Sequence, residues 1–189
     1  TMTAGSAAVS KDSPPVFNNI LAYKDEVVGW MKKLTDECHD HGCAVMIQLT
    51  HLGRRTRWDK GDWLPVVSSS HEREPAHRAF PKRAEVWDIE RIKEDYADAA
   101  ERMQAAGLDG IEICATGHLM DQFWSPQTNR MDPPYGGNLT NRLRFAFVNL
   151  EASGANDVAK EMDVEKWPTL LVRNQSGEGH HVFEGKMKL

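Results

Sequence analysis

Gln48, Cys114 and His118 are the side chains of this sequence whose types and positions suit chemistry. Gln48 follows the apolar run Cys43-Ala44-Val45-Met46-Ile47, and Cys114 closes the run that begins at Leu108. His118 stands just beyond, in Gly117-His118-Leu119-Met120-Asp121-Gln122-Phe123-Trp124. An imidazole exchanges its proton near neutral pH, so His118 can serve as a general acid or base, or equally as a loop histidine bonded to backbone. A carboxamide both donates and accepts, and Gln48 alone reads as a surface residue ending a strand. Metal chemistry is not expected. His39, His41 and His51 lack a Cys or carboxylate at ligand spacing and read as solvated histidines near element ends. Cys38, Cys43 and Cys114 are odd in number with no C-x-x-C pair, so buried free thiols are expected rather than disulfides or zinc ligands.

Periodic segments must position these groups. The opening Ala4-Gly5-Ser6-Ala7-Ala8-Val9 reads as a strand end, and Ser13-Pro14-Pro15 as the loop after it. Val27, Trp30, Met31, Leu34 and Cys38 recur at helical spacing before Gly42, and Cys43–Ile47 is the short apolar run of a covered parallel strand. Residues 50–86 carry Pro65, Pro75 and Pro81 with no sustained period and read as a long excursion, pinned by Trp58, Trp63 and Trp87. Asp88 is the expected cap of a second helix with Ile89, Ile92, Tyr96, Ala99, Ala100 and Met103 on one face and Gly107 at its end. Leu108–Cys114 is the next strand. Asn141 or Thr140 is the expected cap of a third helix running to Leu150, and Arg130 and Arg142 are expected to pair with Asp121, Asp132 or Glu112. Strands and helices in alternation imply β/α units and a parallel sheet.

Two longer motifs carry a family likeness. Gly117-His118-Leu119-Met120-Asp121-Gln122-Phe123-Trp124-Ser125-Pro126-Gln127-Thr128-Asn129-Arg130, with Tyr135-Gly136-Gly137-Asn138-Leu139-Thr140-Asn141-Arg142-Leu143-Arg144-Phe145 after it, resembles the loop following strand four in the flavin barrels of the Old Yellow Enzyme family. Gln48-Leu49-Thr50-His51-Leu52-Gly53-Arg54 resembles the end of the same family's strand three. The resemblance covers about residues 1–150. It implies an α/β fold, a partial (β/α) TIM-type barrel of strands two to four with their helices, and FMN at the carboxyl ends of the strands.

On that resemblance Gln48 reaches the pyrimidine edge of the flavin, and Gly5 is the small residue that lets backbone approach the ring. His118 stands where 2,4-dienoyl-CoA reductase relatives have a tyrosine implicated in protonating the substrate. The family's His-x-x-His or His-x-x-Asn pair is missing. Cys114 stands in place of its first histidine, so Cys114 is expected to line the pocket and activation of an enone by such a pair is not expected. The Gly-His-Leu-x-Asp-Gln-Phe-Trp-Ser-Pro form resembles the branch of trimethylamine dehydrogenase and the demethylases of N-methyl amino acids. The implied reaction is hydride transfer between flavin and an amine or an α,β-unsaturated carbonyl compound, with NAD(P)H a further reactant. After Leu150, residues 155–189 resemble the second half of a thioredoxin-like domain, a short αββ tail with Pro168-Thr169 in the place of that family's cis-proline.

Composition narrows the setting. The chain has 189 residues, whereas a complete barrel takes about 250, so a fragment or a rejoined truncation is expected, dimerising if its sheet edge is left open. A net charge of -5 gives no basic footprint for nucleic acid or membrane, and no apolar run is long enough to span a bilayer. A cytoplasmic location is expected. The readings that rival the flavoenzyme are a non-catalytic remnant of a barrel and a thioredoxin-like binding module without flavin.

Overall fold

Short parallel strands covered by amphipathic helices follow directly from the alternation of apolar runs and helical periods. The computed structural model describes residues 2–13, 15–56, 64–145, 170–173 and 180–183. Strands β1 (Met2–Ala8), β2 (Ile20–Leu21), β3 (Val45–Thr50) and β6 (Gly110–Ile113) form one sheet in the order β2-β1-β3-β6, all parallel. Two further pairs of residues, β4 (Val67–Ser68) and β5 (Lys82–Arg83), form a small parallel ladder within the 50–86 excursion. The helices are α1 (Glu26–Asp40), α2 (Val86–Ala105), α3 (Leu119–Trp124) and α4 (Leu139–Leu143).

Side-chain alternation along β3 sorts the two faces of the sheet. Val45, Ile47 and Leu49 are buried and pack with Val27 and Met31 of α1 and Ala99 and Met103 of α2. Met46 and Gln48 point to the other face and are half-buried. The ladder between β1 and β3 is irregular: Ala4 lies opposite Ile47 and Ala7 opposite Leu49, so Gly5 and Ser6 together face Gln48. Such a bulge turns extra backbone toward one side of a sheet. On the far edge, Gln48 lies opposite Glu112 of β6.

Helix ends follow ordinary capping chemistry, with two departures from the sequence reading. The cap of α2 is Glu85, not Asp88. Asp88 occupies the third helical position, where its carboxylate accepts from the Glu85 backbone N–H at 2.8 Å and from Lys82 Nζ at 2.8 Å. An acidic residue at both places makes a reciprocal capping box, and the Glu at position 85 is what hides the cap from a reader seeking Ser, Thr or Asp. The cap of α4 is likewise Asn138, whose side chain accepts from the Asn141 N–H at 2.9 Å, rather than Asn141 or Thr140. Gly42 (φ 66°) and Gly107 (φ 80°) end the two long helices in the left-handed conformation that glycine adopts at least cost.

Trp30, expected on the apolar face of α1, is 70% exposed, with Lys33 over its ring at 4.8 Å. Trp87 is also exposed and carries Lys82 at 4.1 Å, while Trp58 and Trp63 lie outside the described residues. A second core joins Ile89 and Ile92 of α2 to Leu119 and Phe123 of α3, Tyr135 and Phe145, with the Phe123 and Phe145 rings stacked at 4.4 Å. That core fixes the segment after β6 against α2.

The chain divides into two compact units, residues 1–146 and 147–189. In the second, β7 (Leu170–Arg173) and β8 (His180–Phe183) pair antiparallel, with Leu170 opposite Phe183. The expected helix before them, the bond preceding Pro168 and the end of the third helix beyond Phe145 lie outside the described residues. Among the described residues no helix is long and apolar enough to cross a membrane.

Because Asp88 is buried and satisfies both a helix-end N–H and a lysine, Asp88→Ala is expected to cost about 1–2 kcal/mol. Urea unfolding checks this as a lower midpoint at unchanged slope.

Candidate active site at the carboxyl ends of the strands

All four strands of the main sheet run the same way, so the segments after Ala8, Leu21, Thr50 and Ile113 emerge at one end. In parallel α/β sheets that end is where ligands bind, because the loops there are free to vary while the sheet holds them.

The loops are tied together by a buried polar network. His51 is 0% exposed, which overturns its reading as a solvated histidine. Its Nε2 lies 2.8 Å from Asp12 Oδ1, and the Gly53 N–H donates to its Nδ1 at 3.1 Å. Since the amide can only donate, Nδ1 accepts and the ring hydrogen sits on Nε2, donated to Asp12. Asp12 also accepts from Ser10 Oγ at 2.7 Å and from the Arg91 guanidinium of α2. Burial pushes the Asp12 carboxyl up. The hydrogen bonds from His51 and Ser10 and the charge of Arg91 outweigh that and hold it well below the usual carboxylate range.

A second set of bonds extends from this network to α3. Gln122 Oε1 accepts from the Arg54 N–H at 3.0 Å and Gln122 Nε2 donates to Leu52 O at 3.1 Å. Gly53 (φ 58°) must lack a side chain here, because a Cβ would lie 2.3 Å from Gln122 Oε1. The Leu119 N–H donates to His51 O at 2.9 Å, which seats His118 at the strand ends as the residue before α3.

Each expected site residue has a definite place. Gly5 lies in the bulge of β1 beside Gln48, and a Cβ built there meets nothing within 4 Å. Gln48 Nε2 donates to Glu112 Oε1 at 2.9 Å. The Cys114 N–H donates to Leu49 O at 2.9 Å, continuing the ladder past β6. His118 Nδ1 is buried and has no hydrogen-bond partner among the described residues.

Burial pulls the His118 pKa below its ordinary 6.5, the Arg55 guanidinium adds to the effect, and Asp121 opposes it. The imidazole is therefore neutral and able to accept a proton at neutral pH. Burial pushes the Cys114 thiol up, against the pull of the Thr50 hydroxyl, and the negative charge of Glu112 raises it further. A protonated thiol is a poor nucleophile, so Cys114 is not poised to attack.

Other expectations fall. Cys38, Cys43 and Cys114 are free but only partly buried. Arg130 faces Glu72 at 3.7 Å, and Arg142 donates to the carbonyl oxygens of Trp124 and Gly137 instead of to a carboxylate. Asp12, Arg55 and Arg91 escaped sequence reading. The histidine of Thr50-His51-Leu52-Gly53 was the one local signal of the network, since Asp12 and Arg91 reach it from distant segments. A cavity of about 590 Å³ lies instead between β5, the start of α2 and residues 131–135, lined by Lys82, Arg83, Val86 and Tyr135. None of the strand-end residues lines it, and its Lys82 is already neutralised by Asp88 and Glu85.

A parallel sheet with helices on one face, and loops locked at the carboxyl ends of its strands, defines part of a (β/α) barrel with a site at its mouth. A solved structure shares the arrangement: the old yellow enzyme homologue from Zymomonas mobilis matches with a TM-score of 0.72 and 25% identity, over 76% of this chain and 43% of that one. The chain belongs to the NADH:flavin oxidoreductase / NADH oxidase family, which it matches over residues 1–164.

Among its relatives, a probable N-methylproline demethylase of Rhizobium meliloti is 70% identical over 152 residues, 80% of this chain. The N,N-dimethylglycine/sarcosine dehydrogenase of Chromohalobacter salexigens is 43% identical over 150 residues, 78% of this chain. The chain spans 22% of the length of each of these two relatives.

Asp12→Asn is expected to destabilise the protein by about 3 kcal/mol near neutral pH, since it takes away one of Arg91's two carboxylate partners and removes a charged acceptor from the buried His51. The folded pKa of Asp12 is depressed, so the stability it contributes is complete above the ordinary 3.8 and fades as pH falls below that value. Chemical denaturation of both proteins across this range checks it: the gap between them closes as the medium becomes more acidic.

Proposed function

We propose that the protein is an FMN-dependent oxidoreductase, and that its substrate is an amine, oxidised at a carbon next to nitrogen, rather than an α,β-unsaturated carbonyl compound. The observation that carries the reading is the meeting of Gly5, Gln48 and the His118 segment at one end of a parallel sheet, in a chain of a flavin family. The site fits a flat ring with mixed donors and acceptors along its edge. The face over Gly5 is open, Gln48 carries a carboxamide beside it, and Ser6 Oγ and His118 Nδ1 are buried polar atoms with no hydrogen-bond partner among the described residues. Bound FMN supplies a two-electron acceptor for hydride.

The chain's own residues do the rest. Gln48 orients the ring edge, and the glycine at position 5 lets the ring approach the sheet. His118, kept neutral, takes the proton of the substrate ammonium, because the nitrogen lone pair must be free before the neighbouring carbon can release hydride. Cys114, thiol-protonated, walls the pocket where a paired carbonyl clamp is absent. Choice of an amine is supported by that absence and by the activities for which the two relatives are named, demethylation of N-methylproline and dehydrogenation of N,N-dimethylglycine or sarcosine. Reduced nicotinamide, named in the family's description, is a hydride donor to the flavin like the amine and so an alternative reductant, while an electron acceptor must reoxidise the flavin after each amine is oxidised.

Purified protein is expected to hold FMN in stoichiometric amount, and anaerobic N-methylproline to bleach its visible absorbance. An oxidised spectrum that persists with every N-methyl amine tried would refute the reading. Gln48→Ala is expected to weaken FMN binding about tenfold, the worth of one good hydrogen bond. His118→Gln is expected to slow flavin reduction at neutral pH by about 10²–10⁴-fold. The depressed pKa of His118 fixes the sign of the pH profile. The wild-type rate stays level through 6.5 and falls below it as the imidazole gains its proton, and stopped-flow reduction of His118→Gln is expected to lack that fall.

A further inference from the structure

Arg55 differs from the other arginines near the site in having charge to spare. Arg91 faces Asp12 and Asp95, Arg102 faces Asp25, and Arg54 is spent on the carbonyl oxygens of Glu72 and Arg73. Arg55 is exposed, makes one long contact from Nη1 to Gly117 O at 3.4 Å, and has no carboxylate partner among the described residues. Gly117 has φ 73°, the left-handed conformation that glycine adopts at least cost, and Arg55 Nη1 rests against its backbone directly before His118. The base of the site and a cation with no carboxylate partner among the described residues thus lie close together at the barrel mouth.

We infer that Arg55 is the carboxylate anchor of the site, binding the acid group of an N-methyl α-amino acid while His118 faces its nitrogen. The inference rests on the amine reading above and narrows it from amines in general to amino acids. In an α-amino acid one carbon separates the carboxylate from the nitrogen, which matches a cation adjacent to a neutral base. Guanidinium binds carboxylate through two parallel hydrogen bonds, giving orientation as well as attraction. Arg55 Nη1 lies 3.4 Å from the carbonyl oxygen of Gly117, the residue before His118, and neutralisation of its charge by a bound carboxylate would strengthen His118 as a base just when substrate is present. The relatives' substrates, N-methylproline and N,N-dimethylglycine or sarcosine, all carry such a carboxylate.

The test compares N-methylproline with N-methylpyrrolidine, which lacks the acid, in FMN-loaded wild type, Arg55→Gln and Arg55→Lys. Binding of pyrrole-2-carboxylate, an unreactive planar acid, is measured in parallel by calorimetry. Wild type is expected to favour the acid by about 10²-fold in KM, the scale of a charge-assisted pair. Arg55→Gln should raise KM for N-methylproline by a similar factor with kcat little changed, leave N-methylpyrrolidine within about twofold, and abolish pyrrole-2-carboxylate binding. Arg55→Lys should recover part of both.

Retention of the acid preference by Arg55→Gln overturns the anchor, and so does a fall in FMN affinity that accounts for the whole effect. If neither amine reduces wild-type flavin, the amine reading falls. The calorimetry then decides Arg55 alone: equal binding of pyrrole-2-carboxylate to wild type and Arg55→Gln sinks it, and loss of binding in the variant upholds it.

Discussion

The mouth of this half barrel depends on one buried carboxylate. Asp12 gathers a histidine from the loop after β3, a serine from its own loop and an arginine from α2, so three segments far apart in sequence share a single negative charge. Removing such a charge from water costs several kcal/mol, and only full hydrogen bonding makes it tolerable. His51 then uses its second nitrogen to hold Gly53, and the turn at Gly53 is what Gln122 grips from α3. Order passes in this way from a helix on the outside of the sheet to the segment that carries His118. Stiffness of that kind matters at a redox site, where a displaced base or ring loses rate far faster than the protein loses stability.

Electrostatics at the strand ends are arranged around partial burial. His118 and Cys114 are both driven toward their neutral forms by loss of water, while Arg55 and Glu112 remain charged close by. Two neutral groups thus stand near a cation, Arg55, and a carboxylate, Glu112. On the proposed reading a zwitterionic ligand finds a partner for its acid group in Arg55 and a base for its nitrogen in His118.

The parallel strands and the two long helices were legible because their apolar spacing has only one physical solution: Ile47 and Leu49 must face Ala99 and Met103 across a sheet and helix layer. Gln48, Gly5 and the His118 segment were legible through long motifs, and the sheet brings them to the same end. What escaped was polar and non-local. Nothing adjacent to Asp12 announces a partner at His51 or Arg91, and a histidine two residues from a glycine looks like a turn until the chain around it is packed. The caps escaped for a different reason: Glu85 and Asn138 do the work that Asp88, Thr140 or Asn141 would serve equally well by residue type, and only backbone geometry chooses between them.

The irregular step at Gly5 and Ser6 also governs what can change upstream. Residues three apart on an unbroken strand look in opposite directions, yet Ala4 and Ala7 both pack toward the helices, because the extra residue between them resets the phase of the pleat. Shortening the chain here by a single codon would restore a tidy ladder. It would leave Ala4 and Ala7 two residues apart and still facing the helices, but would take away the extra backbone opposite Gln48, so this stretch can accept substitutions far more readily than a change in length.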